Sequence, residues 1–396
     1  MTNTTARKFI VRLVYCAATS MAAGCSGTSS STPGAPATSV PTATSKPTAT
    51  PSPKSTATPT ATPTPVTPNP ATTGQAIYVA NSGNNSVTVY PKAVTGTIDE
   101  YPLATIVGSD TGLSTPFGIA VDGGGRIYVS NYANGSITVY ASTPRGTLDE
   151  RPLATIAGSA TGLANPTGVA IDALGRIYVS NYFSKTGAGN VLVFAPNPSG
   201  VLDEAPIAMI SGPHAGFDAP AAIALGPNGN VYVANLFSGE TTEYAASPSG
   251  TSATSAPLAT IYGASADTLG VAVDANERVF VTSNLIVENG DLPYTFDSLV
   301  IYPANLSGVA YSTGVGSIGE LPLPAGVALD TNGTIYMVCG SEYSTSTSSG
   351  SPLTGGPNSV LVFAADPGLG VPATSAVGTV TGSATGLNAP YGIAIH

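Results

Sequence analysis

Short apolar segments recur along the chain after residue 75, and small or polar residues separate each segment from the next. The segments "GIAVD" at Gly118, "IYVSN" at Ile127 and "SITVY" at Ser136 are rich in Val, Ile and Tyr. This composition is typical of β-strands. Because the apolar residues are continuous and do not alternate with polar ones, the pattern predicts sheets that are covered on both faces.

The segments repeat as a unit of about 50 residues that occurs six times. Each unit contains, in the same order, relatives of "GIAVD", "IYVSN", "SITVY" and "PLATI". After the first segment, "DGGG" (Asp122–Gly125), "DALG" (Asp172–Gly175) and "DTNG" (Asp330–Gly333) place Asp first and Gly fourth, as expected for tight turns. One unit departs from this rule, because Glu277 stands where the turn Gly is expected.

Four short antiparallel strands per unit, repeated six times, predict an all-β fold, a six-bladed β-propeller of four-stranded antiparallel blades. The first unit begins with "AIYVAN" at Ala76 and has no "GIAVD" segment before it. A matching segment, "GIAIH" (Gly392–His396), stands at the other end. We therefore expect the C-terminal strand to join the N-terminal blade and to close a ring over residues 74–396.

The unit resembles the NHL repeat. The pattern Pro-x-Gly-Ile-Ala-Val-Asp-x-x-Gly-x-Ile-Tyr-Val, followed by Asn, is clearest over Pro116–Asn131 and Pro166–Asn181. The resemblance implies a six-bladed propeller that serves as a binding platform for protein or RNA, although related propellers include peptide α-hydroxyglycine lyases and metal-dependent lactonases. The chain departs from the usual "YVAD" of the family by placing Asn at four positions: Asn81, Asn131, Asn181 and Asn235.

In propeller enzymes of this kind, the resemblance implies catalytic His, Glu, Asp or Asn residues around the central channel. The residue between Pro and Gly of each first segment is then expected near the channel mouth. None of these six residues is an acid or a His: Phe117, Thr167, Ala221, Leu269, Ala325 and Tyr391. The two His residues, His214 and His396, stand in very different surroundings. We therefore predict no catalytic residue, no metal site and no cofactor.

Acidic pairs follow the third segment in three units, at Asp99/Glu100, Asp149/Glu150 and Asp203/Glu204. Paired carboxylates could bind Ca²⁺. Because the pairs recur with the repeat, we interpret them as solvated acids of outer loops. Antiparallel strand order predicts that they share a face of the ring with the Asp-x-x-Gly turns.

Aromatic residues are concentrated in the loops after the "YVSN" segments and at the channel mouth, on the face opposite those turns. The same face is predicted to carry the longest insertions, residues 284–297 and 340–358. Since loops on a rigid scaffold often carry binding sites, this face is the predicted binding surface. Its residues are Phe117, Tyr132, Tyr182, Phe183, Phe237, Tyr294, Phe296, Tyr343 and Tyr391.

The N-terminus has the features of an export signal. Arg7, Lys8 and Arg12 precede an apolar run, "LVYCAATSMAA", that is too short to span a bilayer. The following "AAGC" resembles a bacterial lipobox, which implies acylation of Cys25; ordinary signal-peptidase cleavage is the alternative. We predict a lipoprotein signal peptide over residues 1–24 and a disordered linker rich in Ser, Thr and Pro over residues 25–73.

The charge distribution bears on possible partners. Residues 74–396 contain seven basic and 22 acidic residues, a net charge of −15, which opposes binding to nucleic acid. We expect a monomeric lipoprotein of the bacterial envelope, in the outer membrane of a Gram-negative host, that contacts the membrane only through its lipid. Its predicted role is non-enzymatic binding of a protein or glycan. The alternative is an exported lyase or metal-dependent lactonase with a site in the channel.

Overall fold

The computed structural model of the chain describes residues 76–183, 189–246, 250–253, 256–262, 267–284, 286–289, 292–295, 297–310, 314–319, 321–340, 358–365 and 375–396. The predicted signal peptide, linker and lipidation site at Cys25 lie outside these residues. So do two predicted binding residues, Phe296 and Tyr343, and the side chain of a third, Tyr294.

Six sheets form the blades of a β-propeller, and in each blade the first strand lies beside the channel and the last at the rim. Blade 1 contains β31 (Pro390–Ile395), β1 (Ala76–Asn81), β2 (Ser86–Pro91), β4 (Ala104–Ile106) and β8 (Gly146–Leu148). Blade 2 contains β5 (Pro116–Val121), β6 (Ile127–Asn131), β7 (Ser136–Tyr140), β9 (Ala154–Ile156) and β13 (Gly200–Leu202). Blade 3 contains β10 (Pro166–Ile171), β11 (Ile177–Asn181), β12 (Asn190–Phe194), β14 (Ala208–Ile210) and β18 (Gly250–Ala253).

The other three blades follow the same plan. Blade 4 contains β15 (Pro220–Leu225), β16 (Val231–Asn235), β17 (Glu240–Tyr244), β19 (Ala259–Tyr262) and β25 (Gly308–Ala310). Blade 5 contains β20 (Asp267–Val273), β21 (Val279–Asn284), β24 (Ser298–Tyr302) and β26 (Gly316–Ile318). Blade 6 contains β27 (Pro324–Leu329), β28 (Ile335–Cys339), β29 (Ser359–Phe363), β30 (Gly378–Thr381) and β3 (Gly96–Ile98). A separate two-stranded hairpin consists of β22 (Ile286–Asn289) and β23 (Leu292–Thr295).

The ring closes as predicted. β31 pairs antiparallel with β1, with Ile395 opposite Ile77 and Ile393 opposite Val79. The innermost strand of each blade also packs against the innermost strands of both neighbouring blades. Strands from the two ends of the described chain therefore complete blade 1 together.

Among the residues that the structure describes, a fifth strand, which was not predicted, extends five of the six blades. β3, β8, β13, β18 and β25 each pair in parallel with the outermost antiparallel strand of the preceding blade. In blade 2, for example, Gly200 pairs with Ala154 and Leu202 with Ile156. These strands carry only three or four residues. They join neighbouring blades at the rim of the ring.

The two faces of the ring are distinguished by their connections. We call the side with the short turns after the innermost strands the turn face. The opposite side, with loops such as 107–115 and 131–136, is the loop face. On the turn face, Asp122 accepts hydrogen bonds from the backbone N of Gly124 (2.9 Å) and Arg126 (3.0 Å), and from Arg126 Nε (2.8 Å). Asp172 and Asp274 make the same contacts, which confirms the predicted turn role.

The expected position of the acidic pairs is wrong. Asp149 follows β8, and its Oδ1 accepts a hydrogen bond from Asp110 N (2.8 Å) in the loop 107–115, which places Asp149 on the loop-face side of the rim. Asp203 accepts from Ala160 N (2.7 Å), and Asp99 accepts from Ala384 N (2.7 Å). The error arises because the parallel fifth strand carries the chain across the height of the blade before the Asp. Each of these carboxylates therefore links a fifth strand, contributed by the next repeat, to the loop after the strand beside it.

Candidate functional site

Small residues bring the six innermost strands into close contact around the channel. The equivalent positions are Gly118, Gly168, Ala222, Gly270, Gly326 and Gly392. A Cβ atom on Gly326 would lie 3.4 Å from Gly392 Cα, and one on Gly392 would lie 3.2 Å from Gly118 Cα. The backbones themselves therefore narrow the channel at this level.

The channel is apolar on both sides of this ring of small residues. Toward the turn face its lining consists of Ile119, Val169, Ile223, Val271, Val327 and Ile393. Toward the loop face it consists of Phe117, Ala221, Leu269 and Tyr391. The cavity has a volume of about 60 Å³. This space is smaller than the roughly 300 Å³ or more of an ordinary small-molecule site.

An aromatic cluster covers the channel on the loop face. We call it the aromatic mouth, and it consists of Phe117, Tyr132, Tyr182, Phe183, Phe237 and Tyr391. The ring of Phe117 lies 5.0 Å from that of Tyr132 and 4.2 Å from that of Tyr391. Tyr182 contacts the rings of Tyr132 (6.1 Å) and Phe237 (5.8 Å) edge to face. Six of the nine predicted binding residues are thus brought together.

Burial divides these six residues into two groups. Phe117, Tyr132 and Tyr182 are buried; Tyr182 is only 2% exposed. Phe183 is 43% exposed and stands edge to face on the Tyr182 ring at 4.5 Å. Phe237 and Tyr391 are partly exposed. The buried rings of Phe117, Tyr132 and Tyr182 pack beneath the others, and the accessible rings form the part of the cluster that a ligand can contact.

Buried asparagines hold the loops of the aromatic mouth in place. Asn131, immediately before Tyr132, accepts a hydrogen bond from Ser114 N (3.0 Å) and donates one to Thr138 Oγ1 (3.0 Å). Asn181 accepts from Ala164 N (3.1 Å) and donates to Asn190 Oδ1 (2.9 Å). A carboxylate could accept but could not donate. This gives a physical reason for Asn where the NHL pattern has Asp.

Two acidic residues belong to the segments around Phe237 in blade 4. Phe237 N donates a hydrogen bond to the backbone carbonyl of Asp218 (3.3 Å). Glu240 begins β17, close to Asp218. Burial raises the pKa of Glu240, and the charge of Asp218 raises it further, while hydrogen bonds from Tyr262 and Ser238 lower it. Sequence reasoning missed these two acids because Asp218 lies in a loop and Glu240 begins a later strand.

The other candidate groups are separated in space. His214 is exposed in the loop between β14 and β15, on the loop face, whereas the backbone of His396 pairs with Ala76 on the turn face. Cys339 is fully buried, and burial raises the pKa of its thiol to about 12. Among the described residues, no three or more His, Cys, Asp or Glu side chains are grouped in a way that could hold a metal ion.

Asp297, at the start of the third strand of blade 5, is the most unusual carboxyl group of the described residues. It is 4% exposed, and its Oδ1 is buried without a hydrogen-bond partner. Its Oδ2 accepts a hydrogen bond from Leu323 N at 3.3 Å. Burial raises the pKa of Asp297 to about 6, although that hydrogen bond lowers it.

We expect Asp297→Asn to stabilise the protein at neutral pH. The folded-state pKa lies above the ordinary value of 3.8. Below about pH 4 the acid is protonated in both the folded and the unfolded state, and its contribution to folding stability is complete. That contribution is lost as the pH rises through about 6, because the buried carboxyl group must then ionise. The variant should be more stable than wild type by about 1 to 2 kcal/mol above pH 7, with the difference vanishing near pH 4. Urea unfolding at several pH values measures this.

Asp122→Asn provides a control of opposite sign. Burial raises the pKa of Asp122, but hydrogen bonds from the backbone and side chain of Arg126 lower it more, so that the net shift is downward. This variant should therefore lose stability at neutral pH and approach wild type in acid. Equal effects of Asp297→Asn at pH 4 and pH 8 would contradict the assignment.

Comparison with known proteins adds little about activity. No protein-family profile matches this chain, and no curated protein matches it. Within the described ranges, no helix is long and apolar enough to cross a membrane.

Among solved structures, a protein of unknown function from Bacteroides caccae is 16% identical, with a TM-score of 0.49, covering 81% of this chain and 98% of that one. A PQQ-bound aldose sugar dehydrogenase from Streptomyces coelicolor is 17% identical, with a TM-score of 0.41, covering 66% and 91%. Virginiamycin B lyase from Staphylococcus aureus is 12% identical, with a TM-score of 0.35, covering 67% and 91%. Likenesses at these values say nothing about activity.

Proposed function

We propose that this chain is an envelope-anchored lipoprotein whose NHL-like propeller binds a protein or glycan at the aromatic mouth without chemical catalysis. The observation that carries the proposal is the pair of accessible rings, Phe183 and Phe237, on the buried base of Tyr182. Accessible aromatic residues on a rigid base are typical of the residues that dominate binding energy.

The composition of the channel favours binding over the alternative of a lyase or lactonase. Such enzymes need groups that transfer protons or bind a metal at the reacting centre. In the part of the chain that the structure describes, the channel is lined by aliphatic and aromatic side chains and by glycine backbone. These groups can exclude water and contact apolar surfaces.

The proposed anchor is an acyl group on Cys25. The linker joins the propeller at Ala76, whose backbone pairs with His396 on the turn face. The loop face is then on the side opposite the point of attachment. In a Gram-negative host we propose an outer-membrane location and a monomeric state. Mass spectrometry of the N-terminal peptide tests the anchor, and an unmodified N-terminus would exclude it.

The binding proposal is tested by Phe183→Ala combined with Phe237→Ala in the full chain. Both side chains are accessible, so the fold should persist, and binding should fall at least tenfold because two aromatic contacts are lost. A glycan array and an array of envelope-protein peptides provide the probes. The control is Tyr101→Ala, which removes an aromatic residue that is 82% exposed at the rim and outside the mouth.

The two variants must give different results for the proposal to stand. Tyr101→Ala should reproduce the wild-type array pattern. If the double variant retains every array signal at wild-type strength while its thermal unfolding is unchanged, the aromatic mouth is not the binding site.

A further inference from the structure

We propose that the aromatic mouth recognises a proline-rich extended peptide, and that its resident occupant is the segment Ser45–Pro65 of the same chain. This inference rests on the proposed function, because it names the class of ligand for the same site. It joins two features that are separate in the sequence: an apolar aromatic surface and a segment rich in Pro and Thr.

The chemistry of the mouth suits a polyproline II helix. Its accessible rings, Phe183, Phe237 and Tyr391, can stack on the flat faces of proline rings. Domains that recognise proline-rich peptides use grooves lined by aromatic residues. Because the free peptide is already extended, little conformational entropy is lost when it binds. The neighbouring residues Ala219, Ala221 and Leu236 belong to the same apolar cluster.

At the entrance of the channel itself, a glycan would find few hydrogen-bonding groups. Sugars need several well-placed hydrogen-bonding groups around an aromatic platform. Of the six residues between the first Pro and Gly positions of the repeats, two carry a hydroxyl group, Tyr391 and Thr167. The hydroxyl of Thr167 already donates to the carbonyl of Pro220 (2.7 Å) and contacts Ser180 Oγ (3.0 Å). A proline-rich peptide requires few such contacts, because proline has no backbone N–H.

The segment also complements the charge beside the mouth. Ser45–Pro65 reads "SKPTATPSPKSTATPTATPTP", with six Pro, two Lys and no acid. Asp218, whose backbone carbonyl accepts a hydrogen bond from Phe237 N, and Glu240 place two acidic side chains near each other in this part of the loop face. In an extended segment Lys46 and Lys54 are about 25 Å apart, so one of them can approach this pair of acids while the prolines beside it lie on the rings. Partly desolvated contacts of this kind add specificity and speed association.

The length of the chain before Ala76 allows this contact. A blade of five strands at about 4.8 Å spacing extends about 20 Å from the channel, and a six-residue strand is about 20 Å high. A path from the turn face around the rim to the mouth is thus about 60 Å, or about 20 residues of polyproline II. Counting back 20 residues from Ala76 reaches the middle of Ser45–Pro65.

Attachment makes occupancy intramolecular. A tethered segment experiences an effective concentration of about 1 mM when its linker spans the distance. If the segment binds the mouth with a dissociation constant of about 0.1 mM, it would then occupy the mouth in about 90% of the molecules. The mouth of an isolated molecule would be covered, and an external ligand would have to displace the chain's own segment.

The test uses the full chain and a fluorescent synthetic peptide, Ser45–Pro65. In one variant, the linker variant, these 21 residues are replaced by a Gly/Ser sequence of equal length. Fluorescence anisotropy should show that the linker variant binds the peptide, and that wild type binds it about tenfold more weakly because its own segment competes. Adding Phe183→Ala and Phe237→Ala to the linker variant should weaken peptide binding at least tenfold. Adding Tyr101→Ala should not.

A second peptide tests the charge contact: Lys46→Glu with Lys54→Glu should bind the linker variant several-fold more weakly at low salt. The inference is overturned if the linker variant does not bind the wild-type peptide, or if it binds the peptide no better than wild type does. Analytical ultracentrifugation tests whether the contact is intramolecular. If wild type forms dimers and the linker variant does not, the segment binds the mouth of a second molecule, and the intramolecular contact is wrong. Array binding that is lost in the Phe183/Phe237 double variant, together with no peptide binding, would refute only this inference. Array binding that survives the double variant would refute the proposed function itself.

Discussion

Deleting Gly392–His396 is expected to unfold the propeller or make it aggregate. The deletion removes four of the six residues of the innermost strand of blade 1, including the buried residues Ile393 and Ala394. It also leaves the backbone edge of β1 unpaired beside the channel, where Tyr78 and Val79 would be exposed. The lost pairing and burial amount to more than about 5 kcal/mol, which is comparable to the whole stability of a typical domain.

Thermal unfolding followed by circular dichroism, with light scattering for aggregation, measures this effect. A deletion of the same length in the linker, Pro33–Ala37, lies outside the segment proposed to occupy the mouth and controls for shortening of the chain. The control should unfold at the wild-type temperature. A C-terminal deletion that also unfolds at the wild-type temperature would show that the ring does not depend on this closure.

The second large effect is expected for Gly118→Ala, at the narrowest level of the channel. The new Cβ would overlap the carbonyl oxygen of Thr167 and would lie 2.9 Å from both Gly168 Cα and Val169 N. All three are backbone atoms of the neighbouring blade, so no side-chain rotation can relieve the contact. The two blades must separate, and we expect a loss of about 3 kcal/mol in the free energy of unfolding.

Gly123→Ala is the matched control, because a Cβ at Gly123 meets no atom within 4 Å. Guanidinium unfolding of the two variants and wild type separates a steric effect from a general effect of replacing glycine. If Gly118→Ala is as stable as Gly123→Ala, the backbones of the inner strands are not in close contact.

The propeller and its closure could be predicted from the sequence because both depend on local patterns that recur. Apolar segments such as "IYVSN" predict strands directly, and the separate positions of "AIYVAN" and "GIAIH" predict the shared blade. The Asp-x-x-Gly turns were predicted for the same reason, since a turn is stabilised by hydrogen bonds between residues two to four positions apart. Even the exception is local, because Glu277 takes up the left-handed conformation that its missing glycine would have adopted.

The fifth strands could not be predicted in this way. A segment such as Gly146–Leu148 has three residues, two of them exposed, so it lacks the apolar pattern of a strand. It becomes a strand only because the outer edge of blade 1 offers it hydrogen-bonding partners. The position of Asp149 depends on that pairing, and so it was wrongly assigned to the turn face.

For the candidate site, the sequence by itself determined which residues stand on the loop face, because strand order assigns each loop to one side of the ring. Only the tertiary structure decided their roles. Tyr182 and Phe183 are neighbours in sequence, yet Tyr182 packs into the cluster over the channel while Phe183 lies accessible upon it. The difference depends on the inward curvature of six blades around one axis, which brings side chains from distant repeats into contact. No pattern within a single repeat contains that information.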